Sequence, residues 1–404
     1  MEYDVIVIGG GIIGSSITYH LSKSGIGKVC LIERNEIGSG STSYAASLMT
    51  QVRSKPNLVP LVQETYRDIA ELSKDYHMDL NFKVNGTLYV SSSQDPDSFS
   101  NLVEIAERYG IPYSYPENNV QKMVPWLNNS MVCQSLYIQS DGHLEATILA
   151  DAYANASKSN GAKILTGTEV VSVIVEKGII AGVQTEREVI SAPIVIDAAG
   201  VWSNLLSTPL GVNLPMSPVR SIYWITTFDH SLFPKDHPSV IIPEAKVYTR
   251  PESGGLVFGI RDSESLAFNP KDISSSLMDG KFIDEQSHWD ILMREGRELI
   301  KFFPQLDDVG IRHCIANICS YTIDGQLIIG ESVGVKGFYA ATGCSGGGVA
   351  LAGGFGKIIS RMLLQESEVN SVYKDLAIER LNIDPFDLDF LLQCSKTRSN
   401  KRDG

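Results

Sequence analysis

The stretch from Asp4 to Glu33 limits what this chain can fold into more than any other. Asp4-Val5-Ile6-Val7-Ile8 is an apolar run of the kind that fills a buried parallel strand, and Gly9, Gly11 and Gly14 follow at once in G-x-G-x-x-G spacing. The glycines have separate jobs. Gly9 makes the tight strand-to-helix turn, Gly11 lets a pyrophosphate approach the backbone, and Gly14 lets the helix pack closely on the sheet. The pattern predicts a helix from Ile12 to Ser24, closed by Gly25, with the N–H groups of its first turn, Ile12 and Ile13 among them, turned towards phosphate. A second strand, Val29 to Ile32, ends in Glu33, nineteen positions after Gly14, with Arg34 next. A carboxylate there accepts hydrogen bonds from a ribose 2′-OH and repels a 2′-phosphate. A dinucleotide is expected, and this motif alone leaves FAD and NAD both open.

At 404 residues the chain is too long for one small core and suits two domains. Its net charge of −13 speaks against a nucleic-acid surface, whose phosphates need a basic field. The only basic run, Lys396 to Arg402, reads as a solvated tail. The six cysteines are scattered, with no C-x-x-C pair, which suits a reducing compartment. No signal peptide and no apolar run of membrane-span length is evident, so a cytoplasmic protein is expected. His143 and His313 have no metal-like neighbours in sequence, and no metal site is expected.

Further along, Gly38 to Ser47 is small and hydroxyl-rich, and Ser41 and Thr42 can meet a ribose or pyrophosphate. Leu61 to Tyr76 has helical periodicity, while Phe82 to Val90 reads as a hairpin around Asn85-Gly86. Pro193 to Gly200 is an apolar strand ending in Ala198-Ala199-Gly200, followed by Trp202, and such small residues let a ligand approach the backbone. Segments 220–228, 240–242, 246–250 and 255–261 read as strands, and Val247 to Arg250 and Leu256 to Gly259 alternate as for a sheet with one wet face. Ala267 to Asp279 reads as a loop and Trp289 to Phe303 as a helix. Two more strands, Gln326 to Gly330 and Phe338 to Thr342, lead into Gly343, Gly346, Gly347 and Gly348 and a helix from Val349 to Leu364. That turn makes a second anion-facing helix N-terminus more than three hundred residues after the first. The expected organisation is a discontinuous cofactor domain (1–80, 140–214 and 315–380), a substrate domain inserted twice (81–139 and 215–314), and a C-terminal tail (381–404).

The ordered motifs DVIVIGGGIIG with Glu33, GSGSTS, VIDAAGVWS, and YTIDGQLIIG followed by ATGCSGGGVALA resemble the D-amino-acid oxidase superfamily of FAD-dependent oxidoreductases. Within it, VYTRPESGGLVFG is similar to the branch holding sarcosine and dimethylglycine dehydrogenases and the sarcosine oxidase β-subunit. The resemblance implies an α/β (α+β) fold, with a Rossmann-type FAD-binding domain and an inserted, mainly antiparallel β substrate-binding domain. It implies FAD with adenine and ribose at Gly9 to Gly14, Glu33 and Arg34, and pyrophosphate near Ser41 and Thr42. Val170 would meet adenine, with Ala199, Gly200 and Trp202 against the cofactor and the turn from Gly343 to Val349 at the flavin ring. The implied reaction removes a hydride from the carbon beside an amine nitrogen, leaving an imine.

Where monomeric sarcosine oxidases carry a lysine and a histidine, this chain holds Val257 and Arg261, and where they carry a second lysine it holds Ala350. Fewer cations beside the flavin favour a dehydrogenase over an oxidase. Tyr44 stands where dimethylglycine-type relatives attach FAD through histidine, and the spacing after Cys319 is shorter than in the cysteine-linked segment it resembles, so FAD is expected to be non-covalent. Arg53 and Arg261 are the candidates for a substrate carboxylate, with Tyr248 lining the pocket. The implied partners are a small amine or amino acid, an electron acceptor (O2, a quinone or an electron-transfer protein), and other subunits of a homo- or hetero-oligomer. Alternatives are a 2-hydroxy-acid or glycerol-phosphate dehydrogenase and a catalytically silent FAD-binding regulatory or electron-transfer subunit.

Overall fold

The computed structural model describes residues 2–116, 119–273, 285–366, 373–381 and 383–401. The expected loop at Ala267 to Asp279 lies outside the described residues from 274 onward, as does position 402, the last of the basic run.

Five strands pair in parallel in a sheet whose central apolar strands are covered on both faces. In the six-stranded sheet Val5–Ile8 lies between Val29–Ile32 and Ile194–Asp197, with Lys163–Leu165 beyond the former and Phe338–Thr342 and Ile328–Glu331 beyond the latter. The last pair alone is antiparallel. Alternate residues enter different cores. Val5, Val7, Val29 and Leu31 pack against the helices, whereas Ile6, Ile8, Cys30 and Ile32 pack with Val173, Val183 and Ile190 of the three-stranded sheet. The opening helix runs Ile12–Ser24 and stops at Gly25 in the left-handed conformation. Helices Ala146–Ser159 and Gly348–Leu363 pack against it.

The second sheet has eight strands. Its order is Ile311–Thr322, Met216–Thr226, Gly255–Ile260, Val247–Glu252, Ser239–Ile242, Thr87–Ser91, Gln134–Ile138 and Tyr113–Ser114, and only the Ser239–Ile242 and Thr87–Ser91 pair is parallel. The expected hairpin at Asn85-Gly86 does not form. Asn85 Nδ2 donates to His237 O at 2.6 Å and Gly86 N to Asp141 O at 2.9 Å, so the corner is tied to distant segments rather than folded back on itself. The expected wet face is also corrected: Gly255–Ile260 is buried at every position. One face packs Trp224 and Phe258, stacked at 5.5 Å, with Ile291, Leu299 and Phe302 of helix Glu285–Phe302. The other face carries Tyr223 and Tyr248 towards the site described below.

Two elements differ from the sequence reading. Ile311–Thr322, a twelve-residue strand paired along its length with Met216–Thr226, was not anticipated, and the expected boundary at 314/315 falls inside it. The solvated tail is instead a helix, Leu388–Asn400, capped by the Asp387 side chain on Phe390 N at 2.9 Å. Its Arg398 is 1% exposed and bonds Asp262, Ser265 Oγ (2.7 Å) and Ile260 O (3.2 Å). Composition marks this run as surface, whereas helical spacing turns Leu391, Cys394, Ser395 and Arg398 inward together.

Arg398→Met leaves the Asp262 carboxylate buried without its closest cation. We expect a loss of about 3 kcal/mol or more in urea unfolding, with much of it recovered in the double variant Arg398→Met/Asp262→Asn.

Candidate functional site

The parallel strands end together, and their following turns line a cavity of about 740 Å³. It is walled by Ile8 to Ile13, Ile32 to Glu36, Ala198 to Trp202 and Ala341 to Thr342, the crevice outside the carboxyl ends where the strand order reverses. Gly9, Gly11, Ile12, Ile13, Glu33, Arg34, Ser41, Thr42, Val170, Ala199, Gly200, Trp202, Gly346, Gly348 and Val349 all line it. Gly14 and Gly343 stand behind the wall, and Gly347 faces a smaller pocket. A Cβ at Gly14 would lie 1.9 Å from Gly9 O, so only glycine permits the helix to leave the strand at this distance.

Hydrogen bonds shape the turns. Glu33 accepts from Gly10 N (2.6 Å) and Asn35 N (2.8 Å), which clasps the carboxylate to the glycine turn. Each carboxylate oxygen has two lone pairs, so a ribose hydroxyl can still donate to it. Thr42 Oγ1 accepts from Ile12 N at 3.0 Å and caps the opening helix from a distant loop. Ser41 donates to Ile318 O at 2.6 Å, and Asn317 Nδ2 donates to Ser41 O at 3.2 Å, joining this loop to the long strand of the second sheet. The Arg34 guanidinium lies 3.9 Å from the centre of the Trp202 ring and 3.6 Å from Glu169. Asp197 Oδ1 accepts from Ala199 N (2.9 Å) and Ser203 Oγ (2.8 Å) and holds the Ala-Ala-Gly turn. Burial pushes its carboxyl up to about 6.

The residues fit a dinucleotide with two charged regions. Helices Ile12–Ser24 and Gly348–Leu363 both begin at the cavity, both have glycine N-caps that supply no side chain, and neither has an acidic residue in its first turn. Two positive helix ends are therefore presented to whatever the cavity holds. Cys319, singled out in the sequence for its likeness to a flavin-linking segment, lines the cavity, whereas Thr168, Glu169 and Glu186 around Val170, and Ser320 of the long strand, were missed. The first three carry no motif, and Ser320 went unseen because its strand did.

A second pocket of about 100 Å³ shares Ala45, Cys319, Gly346 and Val349 with the first. Arg53, Tyr248 and Arg261 meet there, joined by the unanticipated Tyr223, Tyr321, Arg398 and Lys401. Among the described residues, none that lines it is Asp or Glu. Arg261 stands 5.3 Å from the centre of the Tyr248 ring, and Arg53 is 4% exposed. Arg250, although on the same sheet, donates to Ala46 O (2.6 Å) and pairs with Glu252, so it braces the loop rather than facing the pocket. Ala350 lines the pocket and Val257 lines neither cavity. The Cys319 thiol is pushed up to about 12 by burial, which disfavours the thiolate.

Fold and site together define a flavoprotein of the dinucleotide-binding α/β type. The family model described as FAD dependent oxidoreductase matches residues 4–362, and the chain belongs to that family. Human mitochondrial sarcosine dehydrogenase is 26% identical over 369 residues, covering 89% of this chain and 39% of the relative. The mitochondrial pyruvate dehydrogenase phosphatase regulatory subunit of Mus musculus is 25% identical over 370 residues, 90% of this chain and 41% of its own length. The chain thus spans about two-fifths of these curated relatives. Among solved structures, L-proline dehydrogenase from P. horikoshii superposes with a TM-score of 0.78 at 25% identity, covering 91% of this chain and 96% of that one. Among the described residues no helix is long and apolar enough to cross a membrane.

Glu33→Ala removes the acceptor shared by Gly10 and Asn35; FAD affinity, followed by flavin fluorescence on titrating apoprotein, should fall about tenfold to a hundredfold. Asp197 gives a pH signature. Its folded carboxyl lies above the unfolded value, so the wild type loses stability as pH rises from about 4 through 6, on the order of 3 kcal/mol. Asp197→Asn keeps the two hydrogen bonds without the charge. Urea midpoints from pH 4 to 7 should therefore drop for wild type relative to this variant.

Proposed function

We propose that the protein oxidises a small amine or amino acid that carries a carboxylate, removing a hydride from the carbon beside nitrogen to leave an imine that water hydrolyses. The observation that carries this reading is the small pocket, where Arg53, Arg261, Arg398 and Lys401 gather beside Gly346 and Val349 of the cofactor cavity. FAD, when bound, accepts the hydride. The chain supplies the rest. Arg53 and Arg261 hold the substrate carboxylate, with guanidinium forks matched to its two oxygens. Tyr248, braced against Arg261, fills one side of the pocket. The surrounding positive charge favours the neutral amine, whose lone pair is needed to form the imine. The clasp of Glu33 on the glycine turn, with Arg34 and Trp202, would hold the nucleotide end of FAD, and Ser41 and Thr42 would meet its pyrophosphate.

The pocket volume suits sarcosine, dimethylglycine or proline-sized substrates, and the names of sarcosine dehydrogenase and L-proline dehydrogenase among similar proteins support that class. Val257 and Ala350, in place of lysines, favour a dehydrogenase, and Tyr44 and the segment after Cys319 favour non-covalent FAD, while Lys401 returns one cation to the pocket. A second reading, a silent regulatory subunit, is supported by the mouse regulatory subunit at 25% identity.

The test is anaerobic addition of sarcosine, dimethylglycine, L-proline, glycine and 2-hydroxyglutarate to the purified yellow protein. Bleaching of the flavin band by an amine is expected, with slow reoxidation in air marking a dehydrogenase. Bleaching only by the hydroxy acid, or by nothing, overturns the reading. Arg53→Gln should raise KM for the active amine by about a hundredfold.

A further inference from the structure

One strand of the second sheet carries a glycine between two tyrosines of the small pocket. Gly259 lies inside Gly255–Ile260, level with Tyr248 on one neighbouring strand and with Tyr223 on the other, and both tyrosines line the pocket. Residues directly opposite on antiparallel strands share a face, so the side chain that Gly259 lacks would stand between them on the pocket side. The Tyr248 ring occupies that place. A Cβ at Gly259 would lie 2.5 Å from Tyr248 Cε1, with Cζ and the hydroxyl oxygen closer still. The backbone does not ask for glycine here: Gly259 is not among the positive-φ glycines, and glycine inside a strand weakens it. Gly346 of the glycine turn is different. Its φ is 76°, so its own turn requires glycine, although a Cβ there would also meet the Tyr321 hydroxyl.

We propose that Gly259 is a specificity-determining residue: by letting the Tyr248 ring lie across the strand, it sets the depth of the substrate pocket and with it the largest substrate admitted. This rests on the reading of the small pocket as the substrate site, and Gly259 acts through Tyr248, as a positioning residue. The ring is confined sideways. Tyr223 flanks it from Met216–Thr226, and the Arg261 guanidinium stands 5.3 Å from its centre. A methyl group at 259 would therefore lift the ring away from the sheet, by about 1 Å to reach ordinary carbon–carbon contact, and away from the sheet means into the pocket. In a pocket of about 100 Å³ that movement takes space a five-membered ring needs and leaves room for a two-carbon acid. A glycine kept only for the strand would, when replaced, weaken ligands of every size, whereas a seat for the ring discriminates by size.

The test is calorimetric titration of the FAD-loaded protein with two unreactive acids of different size, acetate and cyclopentanecarboxylate. Gly259→Ala should weaken cyclopentanecarboxylate by about tenfold or more and leave acetate within about threefold. In the Tyr248→Ser background, where no ring stands over the strand, the same substitution should leave both acids within about threefold of Tyr248→Ser alone. Equal loss of both acids, no loss of the larger one, or a loss that persists without the ring overturns the proposal. Arg53→Gln runs in the same experiment. If it weakens both acids while Gly259→Ala weakens neither, this inference alone falls; if neither variant weakens either acid, the reading of the pocket as the substrate site falls with it.

Discussion

The rest of the molecule depends on the parallel pairing of one short strand on both sides. Val5 sits level with Val29 and Ile194, and Ile8 with Ile32 and Asp197, so three chains finish at one height. The turns that follow them, at Gly9, Glu33 and Ala198, converge without further instruction. Phe338–Thr342 joins the same parallel run and delivers the second glycine turn, more than three hundred residues later, to the same edge. Because apolar side chains cover both faces of this sheet, the edge is the open part of it, and a ligand there meets the turns that follow the strands.

Around that edge the side chains are mostly occupied in holding turns. Thr42 caps a helix, Glu33 binds two amides, Asp197 binds an amide and a hydroxyl, and Arg250 binds a carbonyl. The small pocket differs in character. It gathers charged and phenolic groups from the loop after Leu48–Met49, from the second sheet and from the C-terminal helix, all distant in sequence. Nucleotide recognition is local to a few turns, whereas substrate recognition is assembled by tertiary structure.

That contrast explains what was legible in the sequence. The opening strand, helix and second strand were readable nearly to the residue, because a buried apolar run, a glycine spacing and an acid are local constraints with one common solution. Arg53, Tyr248 and Arg261 were found by likeness to a family and do meet in one pocket, but spacing alone carried no such message. Ile311–Thr322 was missed because its first residues, Arg312 and His313, are exposed and interrupt the alternation, while its later ones are buried on both faces. Arg398 was misread because a basic run at the end of a chain has the composition of a tail. Only the partner, Asp262, shows that it is interior.

The same long strand has a consequence for how the protein can vary. It starts beside Met216–Thr226 at the far side of the second sheet, passes Asn317 and Ile318 where the hydroxyl-rich loop is tied, and ends at Thr322, hydrogen-bonded to Ser345 of the glycine turn. Substrate wall and cofactor wall are thus two stations on one continuous piece of backbone, and their separation is counted in peptide units rather than set by a hinge. Adding one residue between them would exchange inward and outward faces along the remainder. Lineages built on this plan can change which side chains face the substrate, while the ruler between substrate and cofactor stays the same length.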